Sequence, residues 1–240
     1  MISTYTQNVI DVFNSHADPV TAAPMAKYMK NKFDYFGIKS PLRKEISKPF
    51  LLKNNLPSTQ RLQEIVIEFW NQPQRELQYF AMELLQKYSK VSPVDWINLY
   101  EDLITQKSWW DTVDGIAAWN VGDHFRKFPK QLVPYTTKWM DSENIWLQRT
   151  CLIFQLRYKE QTDFKLMKSF IIPLSTSKEF FIRKAIGWAL RQYSKFNPLV
   201  VKDFVAQQPL SNLSQREATK IAEVKSKTAI LMTQNGSNAY

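Results

Sequence analysis

The stretch RELQYFAMELLQKY, residues 75–88, shows what kind of fold this chain adopts. Its apolar residues recur at intervals of three and four, which is the repeat of one face of an α-helix. The residues on that face are Leu77, Phe80, Ala81, Leu84 and Leu85. A strand would instead alternate apolar and polar residues. The stretch therefore predicts an amphipathic helix that packs against a core.

The same period recurs along nearly the whole chain. It is clear in STYTQNVIDVF (3–13), STQRLQEIVIEFW (58–70), NIWLQRTCLIFQLRY (144–158) and EFFIRKAIGWALRQY (179–193). Prolines separate these patterns and often stand where a first helical turn would begin. The connections are short, and a helix pair repeats about every 35 to 45 residues, as in HEAT-type units. We predict an all-α fold, a HEAT-like α-solenoid of stacked antiparallel helix pairs, with a compact irregular bundle as the alternative.

The amino-acid composition disfavours some classes of function and favours others. The chain has only 5 glycines in 240 residues, which disfavours Rossmann and P-loop nucleotide folds because both need glycines at phosphate loops. The net charge of +10 favours a polyanionic partner, with nucleic acid ahead of a membrane surface. The single cysteine, Cys151, excludes an internal disulfide and fits the cytoplasm. We find no signal peptide and no apolar run long enough for a membrane helix.

Domain organisation is predicted to be simple. No internal linker interrupts the helical pattern, and the only shift in composition is the small, polar end TQNGSNAY. We therefore predict one repeat domain over residues 1–228 and a loosely ordered tail over residues 229–240.

The motif KSWWDTVDGIAAW, residues 107–119, contains two aspartates with different explanations. Ser108 and Asp111 have the spacing of a capping box, in which Ser108 would be the N-cap of a helix. Asp114 lies four residues after Trp110, so both side chains project from one helix face. Asp114 is either a solvated aspartate beside an exposed tryptophan or part of a site where an indole and a carboxylate stabilise a cation.

Basic residues form the second candidate feature. Lys184, Trp188, Arg191 and Lys195 follow one another at steps of four, three and four, which places a tryptophan within a basic stripe suited to phosphates. The alternative is a core tryptophan with ordinary solvated cations beside it. Arg149 lies in an apolar helix and needs an anionic partner, either a protein carboxylate or a phosphate.

Near the N-terminus, the segments MAKYMKNKF and GIKSPLRKE add further cationic and aromatic residues, among them Lys27, Tyr28 and Arg43. The sequence contains no HxxxH pair, no Ser-His-Asp candidate and no glycine-rich phosphate loop. Metal catalysis and acyl transfer are therefore poorly supported, and we predict neither a metal nor a cofactor.

These motifs carry a family resemblance. The segments PMAKYMKNKFDYFGIKSPLRKE, KSWWDTVDGIA, WLQRTCLIFQLRYK and FFIRKAIGWALRQYSK resemble, in this order, the AlkD family of bacterial DNA alkylation-repair glycosylases. The resemblance extends from about Val9 to the last predicted helix. It implies a HEAT-like solenoid whose basic concave face holds double-stranded DNA.

The resemblance also implies an activity and residue roles. The family excises cationic alkylated purines, chiefly 7-methylguanine and 3-methyladenine, by hydrolysing the N-glycosidic bond while the lesion stays largely in the duplex. The implied catalytic residues are Asp114, Trp110 and Trp188, and the implied DNA contacts include Arg149 and Tyr28. We expect a monofunctional glycosylase that acts in base excision repair as a cytoplasmic, nucleoid-associated monomer. A HEAT-repeat scaffold that binds DNA or protein without chemistry is the alternative.

Overall fold

In the computed structural model, residues 2–220 are described as helices joined by short turns, apart from one isolated β-bridge between Asp34 and Gln74. The chain divides into two compact units, one ending at Leu103 and the other beginning at Ile104. The prediction of an all-α fold is confirmed. The predicted tail, residues 229–240, lies outside the described residues.

The first unit is built from helices that pair through short connections. They are α1 Thr4–Ser15, α2 Pro19–Tyr28, α3 Ser40–Ser47, α4 Thr59–Asn71, α5 Arg75–Lys87 and α6 Trp96–Thr105, within which the unit ends. Short 3₁₀ turns at Lys48–Leu51 and Lys53–Asn55 connect α3 to α4. Only three residues separate α4 from α5, and the two helices pack against each other as an antiparallel pair.

The second unit continues the pattern. Its helices are α7 Trp110–Gly115, α8 Gly122–Lys127, α9 Pro129–Asp141, α10 Ile145–Ile153, α11 Phe164–Leu174, α12 Phe180–Tyr193, α13 Pro198–Gln207 and a further helix over residues 212–220. A π-helical segment, Ile116–Val121, joins α7 to α8, and 3₁₀ turns follow α10 at Phe154–Arg157 and Lys159–Gln161. Helix α10 packs against α9, α11 and α12, so it lies at the centre of this unit.

The predicted apolar faces form the cores of these helices. Leu77, Phe80 and Leu84 of the opening stretch are fully buried in α5. The same holds for Val9 and Phe13 in α1. Each buried side chain of this size contributes about 1.5–3 kcal/mol relative to an exposed one, so the spacing of apolar residues decides which face turns inward. The predicted helices are therefore confirmed where the pattern was strongest.

Proline placement follows the prediction in part, because Pro24, Pro134 and Pro173 lie inside helices. Pro19, Pro41, Pro129 and Pro198 occupy the first turns of α2, α3, α9 and α13, where the missing N–H costs no helical hydrogen bond. The prediction of antiparallel helix pairs is confirmed within each unit. The HEAT-like repeat, the basic concave face and the single domain over residues 1–228 stay predictions. Within residues 2–220, no helix is long and apolar enough to span a membrane.

A buried glutamate in α5 holds the loop between α2 and α3. The carboxylate of Glu76 accepts hydrogen bonds from the backbone N–H groups of Phe36, Gly37 and Ile38 at 3.0–3.1 Å. Gly37 has a φ of 90°, and a β-carbon there would lie 2.1 Å from the carbonyl oxygen of Asp18. The loop therefore requires both a carboxylate beneath it and a residue without a side chain.

We predict that Gly37→Ala destabilises the protein. The left-handed backbone conformation alone costs about 1–3 kcal/mol for a residue with a β-carbon, and the approach to Asp18 adds to this. Chemical denaturation of both proteins measures the change in the free energy of unfolding. Gly115→Ala is the matched control, because Gly115 has a helical φ of −64° and alanine adopts this conformation without backbone strain. An unfolding midpoint for Gly37→Ala equal to that of wild type would contradict the strain.

Candidate active site

Helix α7 begins later than the sequence predicts. The hydroxyl of Ser108 donates to the carbonyl of Ile104 at the end of α6, at 2.6 Å, instead of capping α7. Trp109 is the N-cap in an extended conformation, and its side chain makes no capping hydrogen bond. The predicted capping box of Ser108 and Asp111 is therefore wrong, because the serine serves the preceding helix. Asp111 still lies in the first turn, where a negative charge suits the helix dipole.

The two adjacent tryptophans have different environments. The ring of Trp109 packs against those of Trp146 and Phe181, with centroids 5.7 and 5.0 Å away. Trp146 and Phe181 are also in contact, at 4.9 Å, which completes an aromatic cluster beside the start of α12. Trp110 is half-buried in the first turn of α7. Trp110 precedes Asp114 by one turn of this helix, as the sequence predicts.

Asp114 forms a bidentate ion pair with Arg149. Nε of the arginine donates to Oδ1 at 2.7 Å and Nη2 donates to Oδ2 at 2.8 Å. The arginine side chain is 5% exposed and the aspartate side chain 16% exposed. Asp114 is thus not a solvated surface residue, and the anionic partner of Arg149 in this structure is a protein carboxylate. The pair connects α7 to α10.

Arg149 also reaches a third helix. Its Nη1 donates to the backbone carbonyl of Phe181 in the first turn of α12. Three of the five guanidinium N–H groups are thus committed to two partners. Because a guanidinium is planar, these bonds fix the orientation of the Asp114 carboxylate relative to α12.

Burial shapes the electrostatics of this pair. Desolvation raises the pKa of Asp114, and the hydrogen bonds and charge of Arg149 oppose this rise. A carboxylate has about four lone-pair positions, of which Arg149 takes two. The remaining positions can accept a hydrogen bond from a water molecule or face a positive charge. In such a setting, an electrostatic contact is stronger than it would be in water.

The segment after Asp114 is unusual. Ile116–Val121 is π-helical, a conformation that is rare and often found at functional sites. Gly122 ends it, and a β-carbon at this position would lie 2.6 Å from the carbonyl of Phe154. The hydroxyl of Tyr158 donates to the Gly122 carbonyl at 2.6 Å. The helical periodicity of the sequence does not reveal this segment, and the two glycines that flank it are its only signal.

The basic stripe of α12 is partly as predicted. Trp188 is half-buried, with Lys184 one turn before it and Arg191 one turn after it. Both cations contact Glu217, at 2.9 and 2.6 Å. Helix α12 ends at Tyr193, so Lys195 lies beyond the helix and is not part of its face. The predicted helical stripe therefore ends at Arg191.

The remaining predicted DNA contacts lie in the first unit. Lys27 and Tyr28 are exposed at the end of α2, and Tyr28 lines a pocket of about 310 Å³ with Tyr35 and Tyr79. Arg43 pairs with a glutamate of α5, Glu83, at 3.0 Å. The structure thus brings Asp114 and Arg149 together at the first turn of α12, and Lys184, Trp188 and Arg191 lie further along the same helix. The roles of all these residues stay predictions.

Cys151 does not supply a reactive thiol to the candidate active site. Cys151 lies two residues after Arg149 in α10, is 1% exposed, and its Sγ is 3.8 Å from the carbonyl of Thr136. Burial raises the pKa of this thiol. Among residues 2–220, no group of three or more acidic, histidine or cysteine side chains could hold a metal ion.

Comparison with known proteins shows the family to which the chain belongs. A family model described as "DNA alkylation repair enzyme" matches residues 9–221. The chain belongs to this family. A solved structure, "Predicted DNA alkylation repair enzyme from Enterococcus faecalis", is 35% identical, with a TM-score of 0.79 over 85% of this chain and 95% of that one. The comparison with curated proteins gave no match.

Membership of the DNA alkylation repair enzyme family confirms the predicted family resemblance and gives the protein a role in repairing alkylated DNA. Two participants in the site escaped the sequence analysis. The Phe181 carbonyl is a backbone group and leaves no trace in the residue pattern. Glu217 precedes Lys220 by three residues, a spacing that signals an ion pair within one helix but not a contact with α12.

We predict that Arg149→Met destabilises the protein by about 3–5 kcal/mol, because the Asp114 carboxylate is left buried without its partner. Replacing both residues, as Arg149→Met with Asp114→Leu, is expected to cost much less. Chemical denaturation of the single and double variants gives the coupling free energy.

The matched control is Arg157→Met. Arg157 pairs with Asp123 at 3.2 Å through a single nitrogen, and both side chains are more than a third exposed, so the pair contributes about 1 kcal/mol or less. Arg157 also lies 3.4 Å from the ring centroid of Trp119, which adds about 0.5–1 kcal/mol to the loss expected for this variant. Equal losses for the Arg149 and Arg157 variants would show that the buried pair has no special part in stability.

Proposed function

We propose that this protein is a monofunctional DNA glycosylase that excises cationic N-alkylated purines, such as 7-methylguanine and 3-methyladenine, from double-stranded DNA. It hydrolyses the N-glycosidic bond, acts as a monomer, and does so without a base-flipping pocket. The observation that carries the proposal is the buried Asp114 carboxylate, fixed by Arg149 in a protein of the DNA alkylation repair enzyme family. The net charge of +10 suits the DNA substrate.

The chemistry requires little acid catalysis. A purine alkylated at N7 or N3 already carries a positive charge and leaves as a neutral base. The difficult species is the positively charged oxocarbenium ion of the deoxyribose, as in other glycosidic cleavages. A carboxylate held in a fixed position stabilises that ion without having to reorganise during the reaction. The reaction therefore requires a fixed negative charge, which Asp114 can supply, more than it requires a proton donor.

Each residue of the site has a role in this proposal. Asp114 stabilises the sugar cation with its free lone-pair positions and orients the attacking water. Trp110 and Trp188, both half-buried, flank the deoxyribose, exclude water and add cation–π attraction. Arg149 holds Asp114 with two N–H groups and the Phe181 carbonyl with a third, and the other two remain for a phosphate oxygen beside the lesion.

Further contacts would hold the DNA. Lys184 and Arg191 on α12 and Lys195 beyond its end bind backbone phosphates of the strand that carries the lesion. In the first unit, Lys27, Tyr28 and Arg43 contact the duplex. Phosphate contacts of this kind fix the register of the protein on DNA but carry no sequence information. The proposed enzyme therefore acts at damaged purines in any sequence.

We predict that Asp114→Asn lowers the single-turnover rate of 7-methylguanine excision by tens to thousands of fold, because one preorganised electrostatic group contributes about 2–4 kcal/mol. Binding to the same duplex is expected to persist. Release of the modified base from a duplex with one defined lesion measures the rate, and a blank without enzyme corrects for spontaneous loss.

Asp123→Asn is the matched control for this experiment, because it makes the same chemical change in α8 at a half-exposed ion pair. Its rate should equal that of wild type. An unchanged rate for Asp114→Asn would remove Asp114 from the mechanism. A wild-type protein that binds the duplex with a steep salt dependence and releases no base would be the non-catalytic scaffold.

The pH dependence of excision follows from the burial of Asp114. Its pKa is raised above the ordinary 3.8, and only the ionised form stabilises a cation. As the pH decreases, the excision rate should therefore begin to fall at a higher pH than it would if the catalytic group were an exposed aspartate. The single-turnover rate, measured against pH with the blank subtracted, should show this decline in wild type and not in Asp114→Asn. A decline that is identical in both proteins would assign it to another group.

A further inference from the structure

The last described helix, residues 212–220, packs closely against α12. Its start is fixed by Ser214, whose N–H donates to the Ser211 hydroxyl at 3.1 Å and whose hydroxyl donates to the Arg183 carbonyl at 2.9 Å. A β-carbon at Gly187 would lie 2.4 Å from the β-carbon of Glu217 and 2.9 Å from the Ser214 carbonyl. The glycine therefore allows Glu217 to reach the face of α12 that carries Lys184 and Arg191.

Glu217 gathers three cations from two helices. Its Oε1 accepts from Lys184 at 2.9 Å and from Lys220 at 2.6 Å, and its Oε2 accepts from Arg191 at 2.6 Å. The Glu217 side chain is 5% exposed, whereas those of Lys184, Arg191 and Lys220 are 40%, 29% and 47% exposed. One buried anion thus lies beneath three cations that reach the solvent. We call these four residues the Glu217 cluster.

The charge balance of the Glu217 cluster points to a ligand. One carboxylate compensates only one of three positive charges, and exposed ion pairs of this kind add little stability. Lysine and arginine carry three and five donor N–H groups, so each cation keeps donors beyond the one that Glu217 accepts. Three partly exposed cations held close together form a site for an anion with several oxygen atoms, such as a phosphate.

Helix α12 connects the cluster to the candidate active site. The Phe181 carbonyl in its first turn accepts from Arg149, Lys184 lies about one turn further, and Trp188 lies between Lys184 and Arg191. A phosphate held by the cluster would therefore lie along the same helix that flanks the proposed deoxyribose position.

We propose that Glu217 is a positioning residue that holds Lys184, Arg191 and Lys220 as one binding site for a phosphate of the DNA backbone. The proposal rests on the proposed function for its ligand, DNA, and adds two residues to it: Lys220 as a phosphate contact, and Glu217 as the group that orders the three cations. Glu217 itself touches no substrate.

The decisive variant is Glu217→Gln, because two explanations predict opposite results. If only net charge matters, removing a negative charge tightens binding to DNA. If Glu217 positions the cations, binding weakens several-fold, and the slope of log K against log salt becomes shallower by about 0.9 or more, which is the effect of one lost phosphate contact. The measurement is fluorescence anisotropy with a short, non-alkylated duplex at several salt concentrations. Tighter or unchanged binding would overturn the proposal.

Glu160→Gln is the matched control, because it makes the same change in charge at an exposed glutamate outside the cluster. It should leave the salt slope unchanged and should not weaken binding. Weakening by both variants to the same extent would refute a specific role for Glu217. Circular dichroism of each variant confirms that the fold is retained.

Lys220→Gln tests the proposal even if Glu217→Gln fails to fold, because about half of the Lys220 side chain is exposed. It should reduce the salt slope by about 0.9, whereas Lys165→Gln, at an exposed lysine of α11, should not. Equal slopes for these two variants would overturn the proposal. Combining Lys220→Gln with Glu217→Gln should cost less than the sum of the two single losses, because both act through one cluster; additive losses would count against it.

These binding measurements separate the two proposals. They use undamaged DNA and require no excision, so an absence of glycosylase activity would leave the cluster testable. Conversely, a cluster without effect on binding would leave excision by the wild-type protein as evidence for the proposed function.

Discussion

The second unit depends on a single constraint, the cost of burying a charge. A carboxylate removed from water is tolerated only when a partner of opposite charge and good geometry accompanies it. Asp114 meets this condition through two parallel hydrogen bonds from Arg149, whose third bond reaches the first turn of α12. Three helices are thereby tied at one point. The ion pair with Arg149 stabilises the Asp114 carboxylate and also fixes its orientation. The same interaction therefore supports both stability and the proposed chemistry.

A similar arrangement recurs among the cations proposed to bind DNA. Arg43 is paired with Glu83, and Lys184 and Arg191 share Glu217. A long basic side chain loses conformational freedom when it binds a phosphate, and a carboxylate that already restrains it reduces that loss. The acidic residues of this basic protein thus do more than lower its net charge. They determine where the positive charge is held.

Most of the fold could be predicted from the sequence because burial follows spacing. The period of three and four placed Phe80 and Leu84 in the core, and prolines such as Pro129 marked the helix starts. Within the site, the sequence also predicted that Trp110 and Asp114 share a helix face and that Arg149 needs an anionic partner. What could not be read were contacts between distant segments. Glu217 and the Phe181 carbonyl join the site through packing, and nothing in the local pattern of either specifies a partner.

The burial of Cys151 has a chemical consequence for a protein of this family. The agents that alkylate DNA are electrophiles, and in a protein their preferred target is a thiolate. The only cysteine of this chain lies inside α10, shielded from solvent and held in the unreactive thiol form by its raised pKa. The thiol of this repair protein is therefore kept away from the electrophiles that alkylate DNA.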